Sequence, residues 1–411
     1  MKILIVTRIY SGLVESFRKG TWKPRGMPAY YKLIEALDKE EGVECEIICL
    51  GKAPQDIKLK LGLIFPGMKT RFHIVPYRKI FRIGGVDRVL NDAVQFCYAA
   101  PFVRGSDLIY TDRVHIIFAS FWKRLFKKKV VIRLFGIGRL IQRFRTPAGR
   151  LKEYFRYLSF RNRFDYVICS KDGSGGEYFI KRFMNRKTPY AILLNGIDRP
   201  GKAETPLTTS SEDIRRRYGI GEDKVTILFL ARMSADKGPD LFVESLTKLN
   251  AINERFFALL VGEGDMKPQL KRRIAESGLW EKAVFAGSVA HNDIYAYYEA
   301  CDIYVSLNLI GNVCNTVLEA VNAGRCIVTF APDKKLHTDS DTHDLFKDAA
   351  EFVDRRKTSE ELPIKLNELI NNGKKREELA KRASEISRHE FISWEERIEK
   401  EIRILKKTAR S

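Results

Sequence analysis

Short apolar runs and amphipathic stretches alternate along almost the whole chain. MKILIVTR, VECEIICLG, DLIYTD, KKVVIRLFG and DYVICSKD are apolar runs of strand length, each closed by polar residues or glycine. Between the first two, MPAYYKLIEALDKE places Tyr31, Ile34 and Leu37 on one helical face. Near residue 200 the composition changes: NGIDRPGKAETPLTTSSED is rich in Gly, Pro, Ser and Thr and reads as a linker. The rhythm then restarts with the strands KVTILFLAR, RFFALLVGEG, AVFAGSV, DIYVSLN and RCIVTF, separated by helical stretches. This predicts an α/β fold of two Rossmann-like, doubly wound domains in tandem. The first spans 1–195, the linker 196–222 and the second 223–392. Ligands of open parallel sheets lie beyond the C-terminal ends of the strands, so VTR, LAR, VGEG and GSV should border a shared cleft.

Composition sharpens this picture mainly through charge. The chain has 411 residues, 45% hydrophobic and 30% charged, too long for one ordinary core. No apolar run reaches the length of a membrane span, and MKILIVTRIY is too short and too soon polar for a signal peptide. Six histidines without paired spacing and seven scattered cysteines give no metal signature; reduced thiols of a cytoplasmic protein are expected. The net charge is +21, yet residues 1–200 hold 39 Lys and Arg against 17 Asp and Glu, while the rest is almost neutral. So one-sided an excess suggests an anionic partner: membrane lipid, nucleic acid or a polyphosphate-bearing substrate.

The candidate chemistry sits in the second half. In LFLARMSADKG a strand ends and Arg232 and Lys237 follow, before a helix opening at Pro239. Two cations beside a helix N-terminus suit a diphosphate, although a solvated loop would have the same pattern. LLVGEGDMKPQL repeats the strand–loop–helix turn, with Gly262 and Glu263, small enough at the glycines for a base or ribose to approach the backbone. The aromatics of NDIYAYYEACDIYVSLN fit core packing better than ligand stacking. The helix NTVLEAVNAG carries one carboxylate, Glu319, in an otherwise apolar run.

Taken in order, NGID, ARMSADKG, VGEGD, FAGSV, YYEACDIYVSLN and NTVLEAVNAGRCIV resemble glycosyltransferase family 4, retaining nucleotide-sugar enzymes of the two-domain GT-B fold. The resemblance covers roughly residues 190–335 with specific motifs; the first half matches in rhythm. It implies that the last helix, about 393–411, crosses back to the first domain. It further implies that Arg232 and Lys237 hold the donor diphosphate, that Glu319 accepts from the ribose hydroxyls, and that the N–H groups of Asn315, Thr316 and Val317 face the phosphates. Gly26, Gly262, Glu263, Val289 and Asn312 complete the implied donor site, and Asn195 and Gly196 mark the crossover. No metal or other cofactor is expected, the nucleotide diphosphate sugar being a co-substrate. Three positions depart from the family. Its first glutamate, eight residues before Glu319, is Gly311 here, leaving Asn308 or Asn312 to serve the sugar. Its Gly-Gly loop reads PRGMP, with one glycine, Gly26. Its His-Gly is Phe135-Gly136, so a base would have to come from Asp112, Arg113 or His115 nearby, with Asp112 the catalytic candidate. Retaining transfer does not strictly require one, because a leaving phosphate oxygen can take the acceptor's proton.

FASFWKRLFKKKV sets Phe118, Phe121, Trp122, Leu125 and Phe126 at helical spacing, with Lys and Arg largely on the other side. RLIQRFRTPAGRLKEYFRYLSFRNRF continues the theme. Such stretches suit an anionic membrane surface, or, for the aromatics alone, a core. The expectation is a cytoplasmic transferase, peripheral on the inner face of the membrane, adding a hexosyl or N-acetylhexosaminyl group to a glycan or lipid-linked acceptor in polysaccharide or glycoconjugate synthesis. The alternatives are a soluble acceptor, a non-catalytic nucleotide binder, or an RNA-binding protein, which carries no recognised RNA motif here.

Overall fold

A computed structural model describes residues 1–78, 84–198, 209–290 and 293–411. Two separate sheets form. The first contains β1 (Lys2–Arg8), β2 (Glu44–Gly51), β3 (Lys60–Ile64), β4 (Arg71–Pro76), β5 (Leu108–Asp112), β6 (Lys129–Leu134), β7 (Tyr166–Ser170) and β8 (Tyr190–Leu193). Its order is β3-β4-β2-β1-β5-β6-β7-β8, parallel except for β3. The second contains β9 (Val225–Leu230), β10 (Phe256–Val261), β11 (Ala283–Gly287), β12 (Ile303–Ser306), β13 (Cys326–Phe330) and β14 (Ala350–Val353). Its order is β11-β10-β9-β12-β13-β14, all parallel. Both sheets are covered by helices on two faces, so their strands are near-continuous apolar runs rather than alternating ones. The strand order reverses between β1 and β5 in one sheet and between β9 and β12 in the other, and these switch points face the cleft.

Within the span expected to be linker, Ser211–Tyr218 is helical. Ser210 and Asp213 form a reciprocal capping box and Ile214 is buried, while Gly219 ends the helix in the left-handed conformation. Residues 199–208, the Gly- and Pro-bearing part of that span, lie outside the described residues.

The chain crosses between domains twice, side by side. Ile197 pairs with Ser393 in a parallel bridge, and its N–H donates to Ile392 O at 3.0 Å. The approach is so close that a Cβ on Gly196 would lie 2.5 Å from Trp394 Cα. After this crossing the helix Trp394–Arg410 docks on the first domain, where Ile398, Ile402 and Leu405 join the core with Ile3, Ile5 and Tyr110. Glu401 is its anchor. Fully buried, it accepts hydrogen bonds from Tyr110 and from Arg397, and from Arg133 at 3.1 Å. Arg133 also donates to Ala29 O at 2.9 Å and lies over the Tyr30 ring. Burial would raise the Glu401 carboxyl; the two guanidinium groups and Tyr110 outweigh it and keep the group below its usual range.

Removing one member of such a buried set leaves the others unpaired. Glu401→Ala should therefore cost about 3–5 kcal/mol of stability, read by denaturant unfolding, whereas Glu399→Ala, exposed on the same helix, should be nearly silent. Equal effects of the two would refute the anchoring role.

Candidate functional site

The switch point of the second sheet opens into a cavity of about 340 Å³. Its walls come from the ends of β9 and β12, the loops after β10 and β11, and the start of the helix Asn315–Asn322. Arg232, Lys237, Gly262, Val289, Asn315 and Thr316, all expected from sequence, line it. Lys237 sits on a short 3-10 turn, Ala235–Lys237, whose N–H groups fold back on Ser234 and Ala235, and Gly238 ends that turn in the left-handed conformation beneath Leu307. Arg232 is mostly exposed, its guanidinium 4.0 Å from Asp236. Burial opposes ionisation of Asp236, but Ser234, Lys237 and Arg232 together hold its carboxyl below the usual range. The helix Asn315–Asn322 points its N-terminal end at the cavity, so its positive end adds to the two cations. Asn195, at the crossover, donates to Asn315 Oδ1 at 2.7 Å and ties the hinge to the cavity rim.

Glu319 lies one turn further in, on the cleft side of the cavity wall. It is 8% exposed, and its Oε2 accepts from Tyr298 at 3.0 Å. Its charge is felt by Tyr295 and, across the cleft, by Tyr31 of the first domain's helix Pro28–Lys39: burial first and this carboxylate next raise the Tyr295 phenol, while burial, Asp198, Glu35 and, least of these, Glu319 raise that of Tyr31. The loop entering that helix is where the family's Gly-Gly was expected. Gly26 has φ +62 and Met27 φ +49, so the second position keeps a left-handed backbone although a bulky residue occupies it. A non-glycine residue there is strained, and strain of this kind collects at working sites. The sequence shows the missing glycine but not the left-handed backbone of Met27, which no local residue pattern announces. Gly26 itself is exposed and does not line the cavity.

Four expected residues take other roles. Asn312 is fully buried: its Oδ1 accepts from Ser306 and from the Asn308 N–H, and its Nδ2 donates to Asn308 O and Asp339 Oδ1. It braces the loop and does not face the cavity. Val317 is core, with its N–H already donated to Cys314 O at 3.0 Å. Glu263 turns outward to Lys267 at 2.5 Å, half exposed. Asp112 is completely buried; its Oδ1 caps the turn Arg113–His115 by accepting from Val114 N at 2.8 Å, with His115 Nδ1 at 3.3 Å. It cannot touch an acceptor without rearrangement, so its assignment as a catalytic group gives way to a capping one. Arg113 donates to Phe135 O at 2.9 Å and lies over that ring, so Phe135-Gly136 and Arg113 occupy the cleft wall where a histidine was sought.

The departure at Gly311 has a steric cause. Its φ is +154, and a Cβ built there would lie 2.4 Å from Asp172 O and 2.7 Å from Ser174 N, in the loop after β7 of the first domain. Gly173 of that loop accepts from Asp339 N at 2.8 Å, and Gly136 N–H donates to Asp172 Oδ2 at 2.6 Å. The domains thus meet backbone to backbone where the family places a carboxylate. Of the two asparagines considered as substitutes, Asn308 is the one that lines the cavity. Behind the seam, Asp339 Oδ1 accepts from Asn312 N, Asn312 Nδ2 and Thr342 Oγ1. Burial pushes its carboxyl up to about 7, against the pull of those donors and of Arg355.

Two outcomes test the seam. Gly311→Ala should destabilise the protein by about 1–3 kcal/mol, as overpacking does; unchanged thermal unfolding would mean the two backbones are not that close. Asp339 has a folded pKa above its usual 3.8, so the native state binds the proton more tightly. Its contribution is present below that value and is lost as pH rises to about 7, with a slope approaching 1.4 kcal/mol per pH unit. Relative to Asp339→Asn, the wild type should lose thermal stability between pH 5 and pH 7. Parallel pH profiles for the two proteins would contradict this.

Comparison with known proteins agrees with this geometry. The model of the family "Glycosyl transferases group 1" matches residues 210–386. An uncharacterised glycosyltransferase of Methanocaldococcus jannaschii is 30% identical over 175 residues, 42% of this chain and 43% of that protein. A lipopolysaccharide core biosynthesis mannosyltransferase of Rhizobium meliloti is 27% identical over 145 residues, 34% of this chain and 40% of that one. The chain therefore spans less than half the length of these curated relatives. Among solved structures, sucrose-phosphate synthase from Thermosynechococcus elongatus superposes with a TM-score of 0.70 at 16% identity, covering 99% of both chains. Anabaena HepE in complex with UDP also gives 0.70, at 15% identity over 99% of this chain and 100% of that one. Residues 210–386 thus match the group 1 glycosyltransferase family, and the two domains have the GT-B fold.

Proposed function

We propose that the protein transfers a sugar, with retention of configuration, from a nucleoside diphosphate sugar to a glycan or lipid-linked acceptor. The observation that carries this reading is the cavity at the β9–β12 switch point, where Arg232, Lys237 and a helix N-terminus converge. Positive groups gathered there suit the charge that develops on a departing diphosphate. Arg232 would clasp it as a planar fork and Lys237 as a compact charge. Val289 and Gly262 would receive the nucleoside against the backbone, and Glu319, on the cleft side of its helix, would take the ribose hydroxyls. Asn308 would stand at the sugar, since a side chain at Gly311 meets the first domain. The acceptor would enter from the first domain, past Met27 and Arg113, and pass its proton to the leaving phosphate. No metal is part of this proposal, because the cations and the helix end already meet the diphosphate charge.

The wider setting is proposed on the same footing: synthesis of cell-surface polysaccharide or glycoconjugate, at the cytoplasmic face of a membrane. It draws support from the basic first half of the chain and from a relative named alpha-monoglucosyldiacylglycerol synthase, from Streptococcus pneumoniae, 23% identical over 178 residues. The solved complexes of HepE with UDP-glucose support the donor class.

A thermal-shift screen of UDP, GDP and ADP and their sugars should find at least one that raises Tm, since ligands of the native state stabilise it. Lys237→Ala should remove the shift, and Glu319→Ala should weaken binding by about 1.5–3 kcal/mol, the loss of hydrogen bonds to a charged group. A flat response to every nucleotide, or variants that bind like the wild type, would sink the donor-site reading.

A further inference from the structure

One face of the first domain is apolar where water should be. Three helical stretches cover one side of the first sheet: Gly84–Gly105, Ile116–Leu125, and Pro147–Lys152 continued by Tyr154–Phe160. Their inner sides are ordinary core, with Val103, Trp122 and Phe160 fully buried. They form a continuous surface. Phe96 of the first stretch packs on Phe118, Phe121 and Trp122 of the second, and the second packs on the third. The outer sides break the usual pattern. Among the described residues sixteen large hydrophobic side chains are exposed, and nine of them lie on these helices. Val89 is 68% exposed, Phe121 50%, Leu125 63%, Leu151 76%, Phe155 72% and Leu158 44%. The exposed positions of the first helix from Val89 to Pro101 carry no charge at all. A helix apolar on both faces is normally covered on both.

What covers this one is indicated by charge. Residues 113–163 hold fifteen Lys and Arg and one acidic residue, Glu153. That residue is ion-paired to both Arg143 and Arg156, so it adds no negative field of its own. Lys127, Lys152 and Arg161 are exposed around the apolar side chains. An apolar centre with a mainly cationic border, the few carboxylates being part-buried, matches a bilayer with acidic headgroups: acyl chains for the aromatics, phosphates for the cations. A second copy of the chain would bring the same positive charge against itself. A nucleic acid would leave Leu125, Leu151 and Phe155 facing water. Among the described residues no helix is long and apolar enough to cross a membrane, which leaves attachment along the surface.

We propose that the outer face of these three helical stretches is the surface on which the protein lies on an anionic bilayer. The face borders the cleft: Arg113 and Val114 lead into Ile116–Leu125, and Arg156 of the third stretch pairs beside Arg143 and Glu153. Docking would hold the acceptor side of the cleft next to the membrane. This rests on the membrane-held acceptor proposed above, but the binding itself needs no turnover.

The test is co-sedimentation of the full chain with vesicles of phosphatidylglycerol mixed with phosphatidylcholine, and of phosphatidylcholine alone. The mixed vesicles should capture the protein, and added NaCl should weaken capture. A Leu151→Ser, Phe155→Ser double variant should lose about tenfold or more in vesicle affinity. A Lys127→Glu, Lys152→Glu variant should lose capture by the mixed vesicles selectively. Both variants change exposed side chains, and both should keep the nucleotide thermal shift, which separates failure of this surface from failure of the donor site. Absence of capture by either vesicle would overturn the proposal. So would apolar variants that bind as the wild type does, apolar variants that turn a dimer into a monomer by light scattering without affecting vesicles, or RNA binding that the vesicles fail to displace.

Discussion

Backbone meets backbone where Gly311 of the second domain abuts Asp172–Ser174 of the first, and much of the molecule is arranged around that contact. Side chains are absent from the point of closest approach, so the separation there is set by the peptide units themselves. The Asn308–Asn312 loop can come so near only because Asn312 satisfies its internal polar groups and Asp339 holds Asn312 in turn. On the other side Asp172 fixes Gly136 and Ser174. The contact therefore links the loop beside the β9–β12 cavity, the strand ends of the first sheet and a buried carboxylate in one hydrogen-bonded run. A side chain at position 311 would require these two backbones to stand further apart.

The parts of the site that could be read from sequence were those whose chemistry is local. Arg232 and Lys237 follow a strand and precede a helix, and that order alone brings them to a phosphate-sized opening. Gly262, Val289, Asn315 and Thr316 could be named through the family resemblance and fell on the same cavity. The two layered α/β domains followed from the spacing of apolar runs, and the returning helix from the family fold. The residues that moved to other roles share one property: a specific hydrogen-bond or ion-pair partner, near or far along the chain, decides their orientation. Glu263 turns to Lys267, Asp112 caps its own turn, and Asn312 is claimed by Asp339, 27 residues on. A propensity pattern has no access to such competition. The same holds for Met27, whose left-handed backbone is visible only once the loop is built, and for the capping box that makes Ser211–Tyr218 a helix inside a Gly- and Pro-rich stretch.

Charge and apolar exposure divide between the domains in a way that composition alone blurs. Basic residues crowd the first half, but none of them lines the cavity at the β9–β12 switch point, whose cations are Arg232 and Lys237 of the near-neutral half. The first domain's cations thus have work away from that cavity. One of them, Arg133, is spent internally on Glu401, and Arg143 and Arg156 on Glu153. Others, Lys127, Lys152 and Arg161 among them, are exposed on or beside the outer helices that carry the exposed Leu and Phe side chains.

The paired crossings carry a mechanical consequence. Ile197 and Ser393 lie against each other, and beyond them the last helix is locked to the first domain by Glu401. Two chain crossings bridged at one point suit a door hinge better than a string: such a joint favours swing about that line over twist and slide. Swing about that line would lift Gly311 away from Asp172 along an arc. It would change how far the two sheets gape while keeping the cavity of the second domain in register with the facing wall of the first.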